Sequence, residues 1–251
     1  MTTDAPVTPG TAVRPSPTAH TARRLGGALA RLAVIFWSIA VVAVVVANLV
    51  GWRVAGATDV SIAAYARQAS VWFPFSLAIM LVAAYVRVHI ASGMTRRTFV
   101  RAALLVEVAA GVAYAVVLTV LVLLERAVHD ALGWESVITE IQLSDETSSL
   151  WAMLVELAVL FVVGNLSGLL VGAVYHRVGG WVGTLSLPLT VGPVAALLFV
   201  PGARLVDLSG IGATSGIGHL GLVVGVGLAL GAVTAAVFAA LVRRLQLAPA
   251  P

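Results

Sequence analysis

Long apolar runs separated by short polar segments dominate the chain from residue 32 onward. Six such runs cover about residues 32–50, 71–90, 100–124, 150–175, 181–200 and 220–242. One crossing of a bilayer core about 30 Å thick takes about 20 helical residues, and each run lies close to or above that length. The runs lack the strict alternation that strands of a membrane barrel would show. The pattern therefore predicts an all-α polytopic membrane protein, a bundle of six transmembrane helices.

Little of the chain lies outside a predicted transmembrane domain that covers residues 22–244. Residues 1–21 are rich in Pro, Thr and small residues and predict a disordered tail, and residues 245–251 predict a second, short tail. Residues 22–32 carry leucines on one helical stripe with arginines nearby, which predicts a short helix lying in the inner interface of the membrane.

The composition agrees with a membrane protein and excludes several kinds of chemistry. Hydrophobic residues make up 60% of the chain and charged residues 10%, and the mean hydropathy is +1.04, whereas a soluble domain carries about 25% charged residues. All 15 basic residues are arginine, so the lysine of a phosphate-binding P-loop or a Schiff base is absent. Cysteine is also absent, and the five histidines are scattered. We therefore expect no metal, no cofactor and no catalytic activity in this chain.

The distribution of charge predicts how the helices are oriented. With a cytoplasmic N-terminus, eleven arginines fall on the inner side and four on the outer side, a strong positive-inside bias. The inner set is Arg14, Arg23, Arg24, Arg31, Arg87, Arg96, Arg97, Arg101, Arg177, Arg243 and Arg244, and the outer set is Arg53, Arg67, Arg126 and Arg204. Acidic residues collect in one predicted outer loop, residues 125–149: Glu125, Asp130, Glu135, Glu140, Asp145 and Glu146. Both termini are therefore predicted to be cytoplasmic. The net positive charge of the chain is explained by arginines on the inner side of the lipid bilayer rather than by binding to nucleic acid.

The amino-acid usage also indicates a cellular location. A lysine-free chain rich in Ala, Val, Arg and Gly is typical of a bacterial genome of high GC content. Six predicted spans in such a chain indicate the plasma membrane of a bacterium.

Glycines at intervals of four residues predict close packing of helices. The set comprises Gly164, Gly168 and Gly172 in the fourth run and Gly221, Gly225, Gly227 and Gly231 in the sixth. Small residues at this spacing let helix backbones approach each other in lipid. The contacts could lie within one chain or between two copies, and the sequence leaves both arrangements open.

The segment between the second and third runs holds the most specific polar pattern. Gly93 is predicted to end one helix and Thr95 to cap the next, which leaves Arg96 and Arg97 at the tip of an inner hairpin. The two arginines either anchor this hairpin at the membrane surface or form a docking point for a soluble partner.

These residues carry a resemblance to a known family. The stretch Ser92-Gly93-Met94-Thr95-Arg96-Arg97-Thr98-Phe99 resembles the Gly-x-Thr/Ser-Arg-Arg-x-Phe pattern in permease subunits of bacterial ABC exporters of the type-2 class. Such permeases have six spans, both termini inside, and a cytoplasmic loop after span two that docks into a separate ATPase subunit. The resemblance covers about residues 22–244 in architecture and eight residues in motif.

The resemblance implies a role for the hairpin and a set of partners. Residues Gly93, Met94, Thr95, Arg96, Arg97, Thr98 and Phe99 would form the loop that couples the permease to its ATPase. A second permease copy, identical or different, would complete the membrane part, and two ATPase subunits would hydrolyse ATP. The chain itself would be a non-catalytic transport subunit.

Two carboxylates, Glu107 and Glu156, lie inside the apolar runs. A charged group at the centre of a membrane helix costs roughly 2.5–3.5 kcal/mol, so such groups rarely face lipid. Helix geometry offsets the two along the membrane normal, so they are predicted not to share a proton. They are candidates for lining a translocation path, and the alternative is a buried carboxylate that is hydrogen-bonded or protonated. Asn165 is a third candidate, although its position on the glycine face favours a bond between helices.

Two other functions compete with the exporter. A proton-coupled secondary carrier would use Glu107 or Glu156, without any ATPase. A non-transporting assembly or signalling protein would bind its partner through the acidic outer loop, residues 125–149. The sequence predicts no particular substrate.

Overall fold

The computed structural model describes residues 16–58, 60–135, 137–138, 150–199 and 216–244, and for residues 199 and 216–219 it describes the backbone only. Within this part of the chain there are six helices: α1 (Pro17–Ala55), α2 (Ile62–Ala91), α3 (Arg96–Leu132), α4 (Leu150–Leu185), α5 (Leu187–Phe199) and α6 (Gly216–Arg243). The predicted all-helical fold is confirmed, and the only β-type pairing among these residues is an isolated bridge between Val60 and Val137. Five helices are long and apolar enough to cross a membrane, and α5 is shorter, with 13 residues.

Some predicted segments lie outside the described residues. They are the first 15 residues of the N-terminal tail, residues 136 and 139–149 of the acidic loop, residue 200 of the fifth predicted span with the following segment 201–215, and the C-terminal tail from residue 245. Arg14, Arg204, Glu140, Asp145 and Glu146 belong to these segments.

Helix α1 begins at Pro17, earlier than predicted, and the predicted interfacial helix at residues 22–32 is part of it. The Ser16 hydroxyl accepts a hydrogen bond from the backbone N–H of Ala19, and Pro17 occupies the first helical turn, where its missing N–H is not needed. The helix then continues unbroken for 39 residues to Ala55. Leu25, only 2% exposed, packs in the core cluster at this end of the bundle, and this packing stabilises the helix across Gly26 and Gly27.

Helix α4 forms the centre of the bundle, with α2, α3, α5 and α6 packed around it. Its predicted packing glycines face α2. A Cβ atom on Gly168 would clash with the carbonyl oxygen of Phe75, and one on Gly172 would lie 3.0 Å from the carbonyl oxygen of Ile79. Glycine therefore lets the backbones of α2 and α4 touch within one chain. Helix α1 packs mainly against α3 and is the most exposed of the long helices.

The chain reverses direction at Gly179, inside the segment assigned to α4. Gly179 has a φ of 78°, in the left-handed region that favours glycine, and there the helix breaks. Beyond the break, the Thr184 hydroxyl lies 2.9 Å from the Tyr175 hydroxyl. Further along, Val194 Cγ2 lies 3.6 Å from the Cβ position of Gly164. Both contacts fit one antiparallel register, so residues 180–199 fold back along α4.

Helix α6 runs parallel to α4. Gly227 contacts Val159, and the Cβ position of Gly231, one turn later, lies 3.6 Å from Val163 Cγ2. These two glycines pack against α4 within the chain. Gly221 and Gly225 do not, because both are exposed and a Cβ on either would have no neighbour within 4 Å.

The two ends of the bundle differ in charge. At one end Arg87 of α2 donates to His176 of α4 at 3.2 Å, and Arg96 of α3 lies against the last turn of α6. The described arginines at this end are Arg23, Arg24, Arg31, Arg87, Arg96, Arg97, Arg101, Arg177, Arg243 and Arg244. The opposite end holds Arg53, Arg67 and Arg126 with the described acidic residues Glu125, Asp130 and Glu135. We call these the basic end and the acidic end.

Candidate functional site

The hairpin at residues 93–99 connects α2 and α3 at the basic end. Gly93 adopts a φ of 78° directly after α2, and the Thr95 hydroxyl accepts the backbone N–H of Thr98 at 3.2 Å. The predicted helix stop and helix cap are thus confirmed. Phe99, the last residue of the motif, is fully buried and packs against His89 with ring centroids 5.5 Å apart. Its aromatic ring therefore anchors the hairpin to the core.

The two arginines of the hairpin have different surroundings. Arg96 is half-buried, and its Nη1 donates to the backbone carbonyl of Arg243 at 3.3 Å. That carbonyl belongs to the last turn of α6, where helical carbonyls lack partners within the helix. Arg97 is exposed and points its charge at the surface of the basic end. Of the two guanidinium groups, Arg97 is therefore the accessible one, whereas Arg96 ties α3 to α6.

Glu107 and Asn165 come together in the core between α3 and α4. The Asn165 side chain donates from Nδ2 to the backbone carbonyl of Glu107 at 3.0 Å, and both residues are buried. Glu156 lies elsewhere. The α3–α4 register places Glu156 about ten residues further along α3, a separation of about 15 Å at the helical rise. Of the three candidates for a translocation path, Glu107 and Asn165 therefore lie together and Glu156 lies apart from them.

A cavity of about 790 Å³ lies between α1 and α3, with α2 at its base. Small side chains on the two facing helices leave this space open: Ala30, Ala33, Ala109, Ala110 and Ala113. Val34 and Val41 of α1 line the cavity and are themselves 66% and 40% exposed. The cavity therefore opens on an exposed, apolar flank of the bundle.

Four polar side chains line this apolar cavity: Trp37 and Ser38 of α1 and Glu107 and Tyr114 of α3. The Ser38 hydroxyl donates to the Val34 carbonyl of its own helix at 2.8 Å, so it has a partner. Trp37 Nε1, Glu107 Oε1 and the Tyr114 hydroxyl are buried and have no hydrogen-bond partner in the described structure. The rings of Trp37 and Tyr114 lie 5.4 Å apart. Glu107 and Tyr114, seven residues apart, share one face of α3. Burying an unpaired polar group is unfavourable, so these three atoms set the cavity apart from an ordinary apolar core.

A second polar cluster lies at the acidic end, around Glu125. Its carboxylate accepts the hydroxyl of Ser61, the backbone N–H groups of Ile62 and Ala63 at 3.0–3.1 Å, and the side-chain amide of Asn48 at 2.7 Å. The carboxylate thus sits at the N-terminus of α2, where backbone N–H groups lack helical partners and the helix dipole favours an anion. This arrangement joins α1, α2 and α3.

The cluster corrects the expectation that residues from Glu125 onward form an outer loop. Helix α3 extends to Leu132, so Glu125 is a buried helical residue. His129, one turn further, donates from Nε2 to Asn48 Oδ1 at 3.0 Å, and Thr58 donates to the same oxygen at 3.3 Å. These bonds indicate a structural cluster rather than a ligand site. Nowhere in the described ranges do three or more His, Cys, Asp or Glu side chains group as a metal site would require.

Sequence reasoning missed two residues of the cavity, Trp37 and Tyr114, because each looks like an ordinary aromatic residue of an apolar run. The available signal was the spacing of Tyr114 from Glu107, which places both on one helix face.

No protein-family model, curated protein or solved structure matches this chain.

Proposed function

We propose that this chain is the membrane-spanning permease subunit of an ATP-driven exporter, with the basic end and both termini in the cytoplasm. ATP would be hydrolysed by a separate subunit that docks at the 93–99 hairpin. The observation that carries the proposal is this hairpin: two fully formed helix ends hold it rigidly, Phe99 anchors it, and Arg97 is exposed at its surface. Such a site suits recognition of an acidic groove on a soluble partner.

The proposal includes six membrane crossings, the fifth made by residues 180–199. The number of crossings is supported by the directions in which successive helical segments run. Helices α4 and α6 run in parallel, and the segment between Gly179 and Phe199 lies antiparallel along α4. Residues 180–199 amount to about 30 Å of helix, which is about the thickness of the hydrocarbon core.

Helix α3 gives the hairpin a mechanical link to the cavity. It runs unbroken from Arg96 to Leu132, and Glu107 lies about 16 Å along its axis from Arg96. A displacement of the hairpin by a docked ATPase would move the α3 wall of the cavity as a rigid body. Through the Arg96 hydrogen bond it would also move α6. ATP binding at one end could thereby open or close the cavity.

The test is co-purification of an ATPase subunit from the native host. The wild-type chain is extracted gently and compared with Arg97→Glu, and Arg244→Glu is the matched control because it reverses another exposed arginine at the same end. We expect a stoichiometric ATPase with the wild type and with Arg244→Glu, and its loss with Arg97→Glu. All three proteins should keep the same elution volume and helical circular dichroism.

The exporter proposal would be overturned if no ATPase co-purified with the wild-type chain, either with or without cross-linking in the membrane. One observation then favours a second candidate, a proton-coupled carrier: Glu107 is buried and one of its oxygens has no partner. A carrier would transport in vesicles that contain only this chain and a pH gradient. Glu107→Gln would abolish that transport.

A further inference from the structure

The cavity between α1, α2 and α3 has one polar group that can carry a full charge. Glu107 is 1% exposed, and Oε1 has no hydrogen-bond donor in the described structure. The residues that line the cavity include no arginine and no histidine. An ionised carboxylate in this place therefore lacks a counter-charge from the cavity wall, and a cationic guest would supply one.

Two aromatic rings line the part of the cavity that lies beyond the carboxylate. Tyr114 lies two helical turns beyond Glu107, and the Trp37 ring lies beside it, with a centroid separation of 5.4 Å. Aromatic faces attract cations and also bury large apolar areas. The remaining lining residues are small or aliphatic, apart from Ser38, whose hydroxyl donates to the Val34 carbonyl. A guest that matches this lining has one positive charge and a rigid, mostly apolar body.

We infer that this cavity binds a lipophilic organic cation, with its positive charge at Glu107 and its apolar body against Trp37 and Tyr114. The volume of about 790 Å³ lies within the range of roughly 300–1,000 Å³ that ligand pockets occupy. The opening beside Val34 and Val41 allows such a molecule to enter from the lipid, where lipophilic cations accumulate. As a statement about transported cargo the inference rests on the proposed function, whereas the binding itself does not.

Competing guests fit the lining less well. An inorganic metal ion would need several oxygen or nitrogen ligands, and Glu107 is the only carboxylate in the cavity wall. An anion would meet the carboxylate and no positive side chain among the lining residues. A neutral acyl chain would fill the volume and leave Glu107 Oε1 unpaired. Only a cation satisfies the carboxylate and the apolar wall together.

Binding is tested on the purified chain in detergent, without any ATPase, using radiolabelled tetraphenylphosphonium as the probe. We expect saturable binding to the wild type and at least a tenfold weaker affinity in Glu107→Gln. Asp130→Asn is the control, because it neutralises an exposed carboxylate at the acidic end, away from the cavity. Tetraphenylborate has nearly the same shape and the opposite charge, and it should not compete. Equal affinity in wild type and Glu107→Gln, or equal competition by tetraphenylborate, would overturn the inference.

A second measurement uses only the wild-type protein, in case Glu107→Gln does not fold. Dicyclohexylcarbodiimide modifies carboxyl groups in apolar surroundings, and mass spectrometry of peptides reports modification at Glu107. Tetraphenylphosphonium should slow this modification severalfold and tetraphenylborate should not. An unchanged rate of modification with saturating tetraphenylphosphonium would exclude the site.

The outcomes separate this inference from the proposed function. Tetraphenylphosphonium binding without a co-purifying ATPase would retain the site and remove the exporter. An ATPase that co-purifies with a chain that does not bind the probe would retain the exporter and remove the site.

Discussion

Both carboxylate oxygens of Glu125 accept the backbone N–H of Ala63, at 3.1 and 3.0 Å. Ala63 is the second residue of α2, and Glu125 lies near the far end of α3. A side chain of one helix therefore satisfies the first donors of another. Because the same carboxylate also binds Asn48 of α1, it determines how three helices meet at the acidic end.

Replacing Glu125 should therefore destabilise the protein. Glu125→Ala leaves buried donors without an acceptor, and each such donor costs about 1–3 kcal/mol. We expect a clearly lower thermal midpoint, measured by intrinsic tryptophan fluorescence in detergent. Asp130→Ala removes an exposed carboxylate five residues away and should leave the midpoint nearly unchanged. Equal midpoints for the two variants would show that the cluster does not stabilise the fold.

The close contact between α2 and α4 predicts that the thermal stability of the protein depends on glycine at position 168. Gly168→Ala adds a Cβ that would clash with the Phe75 carbonyl, and overpacking of this kind costs about 1–3 kcal/mol. Gly225→Ala is the matched control on α6, where an added Cβ meets open space. Thermal midpoints should fall for the first variant and stay constant or rise for the second. Indistinguishable midpoints would contradict the close α2–α4 approach.

Arg67 of α2 and Glu156 of α4 should be energetically coupled across the interface between these two helices. The contacts of Gly168 with Phe75 and of Gly172 with Ile79 define a parallel register in which Glu156 lies one turn from the level of Arg67. Both side chains are buried, and an arginine side chain leans toward the N-terminus of its helix, here toward the level of Glu156.

Removal of one member of such a pair costs about 3–5 kcal/mol, because it leaves a buried charge. Unfolding of Arg67→Met, Glu156→Met and the double variant in a denaturant series measures the coupling. We expect the double variant to be more stable than the sum of the single losses predicts. Additive losses would show that the two residues act independently.

The proposed topology predicts which cysteines can be labelled, and the native chain has none to interfere. Ser92→Cys and Gly180→Cys lie at the basic end, and Asp130→Cys lies at the acidic end, all at exposed positions. In intact cells a membrane-impermeant maleimide should label Asp130→Cys and leave the other two unlabelled until the membrane is opened. Labelling of Ser92→Cys in intact cells would reverse the assigned orientation.

Local sequence patterns predicted the helices well where local physics dominates. Apolar runs long enough to cross a membrane became helices, because every backbone N–H and C=O in lipid needs a partner within the helix. Gly93 and Thr95 stop and start helices through their own backbone and side-chain preferences, so their roles were readable from the sequence alone. Hydropathy also indicated the fifth apolar segment at residues 181–200, and the helix break at Gly179 falls in the predicted gap between it and the fourth run, which ends at residue 175.

Predictions failed where distant residues supply the stabilisation. Glu125 looked like the start of a loop because it is charged and follows an apolar run. It is helical and buried because Ser61 and Asn48, 64 and 77 residues away in the chain, bind its carboxylate. In the same way, residues 22–32 looked like a separate interfacial helix, and the burial of Leu25 in the bundle makes them part of α1.

The sequence by itself determined that this chain is helical, with several segments long and apolar enough to cross a membrane, and that most of its arginines lie at the end opposite the clustered acidic residues. Helix formation and charge placement depend on residues near each other in the chain, so composition and periodicity suffice to predict them. Only the tertiary structure decided that Glu107, Trp37 and Tyr114 line one cavity. That grouping depends on which faces of α1 and α3 meet, and side-chain packing between helices determines the choice.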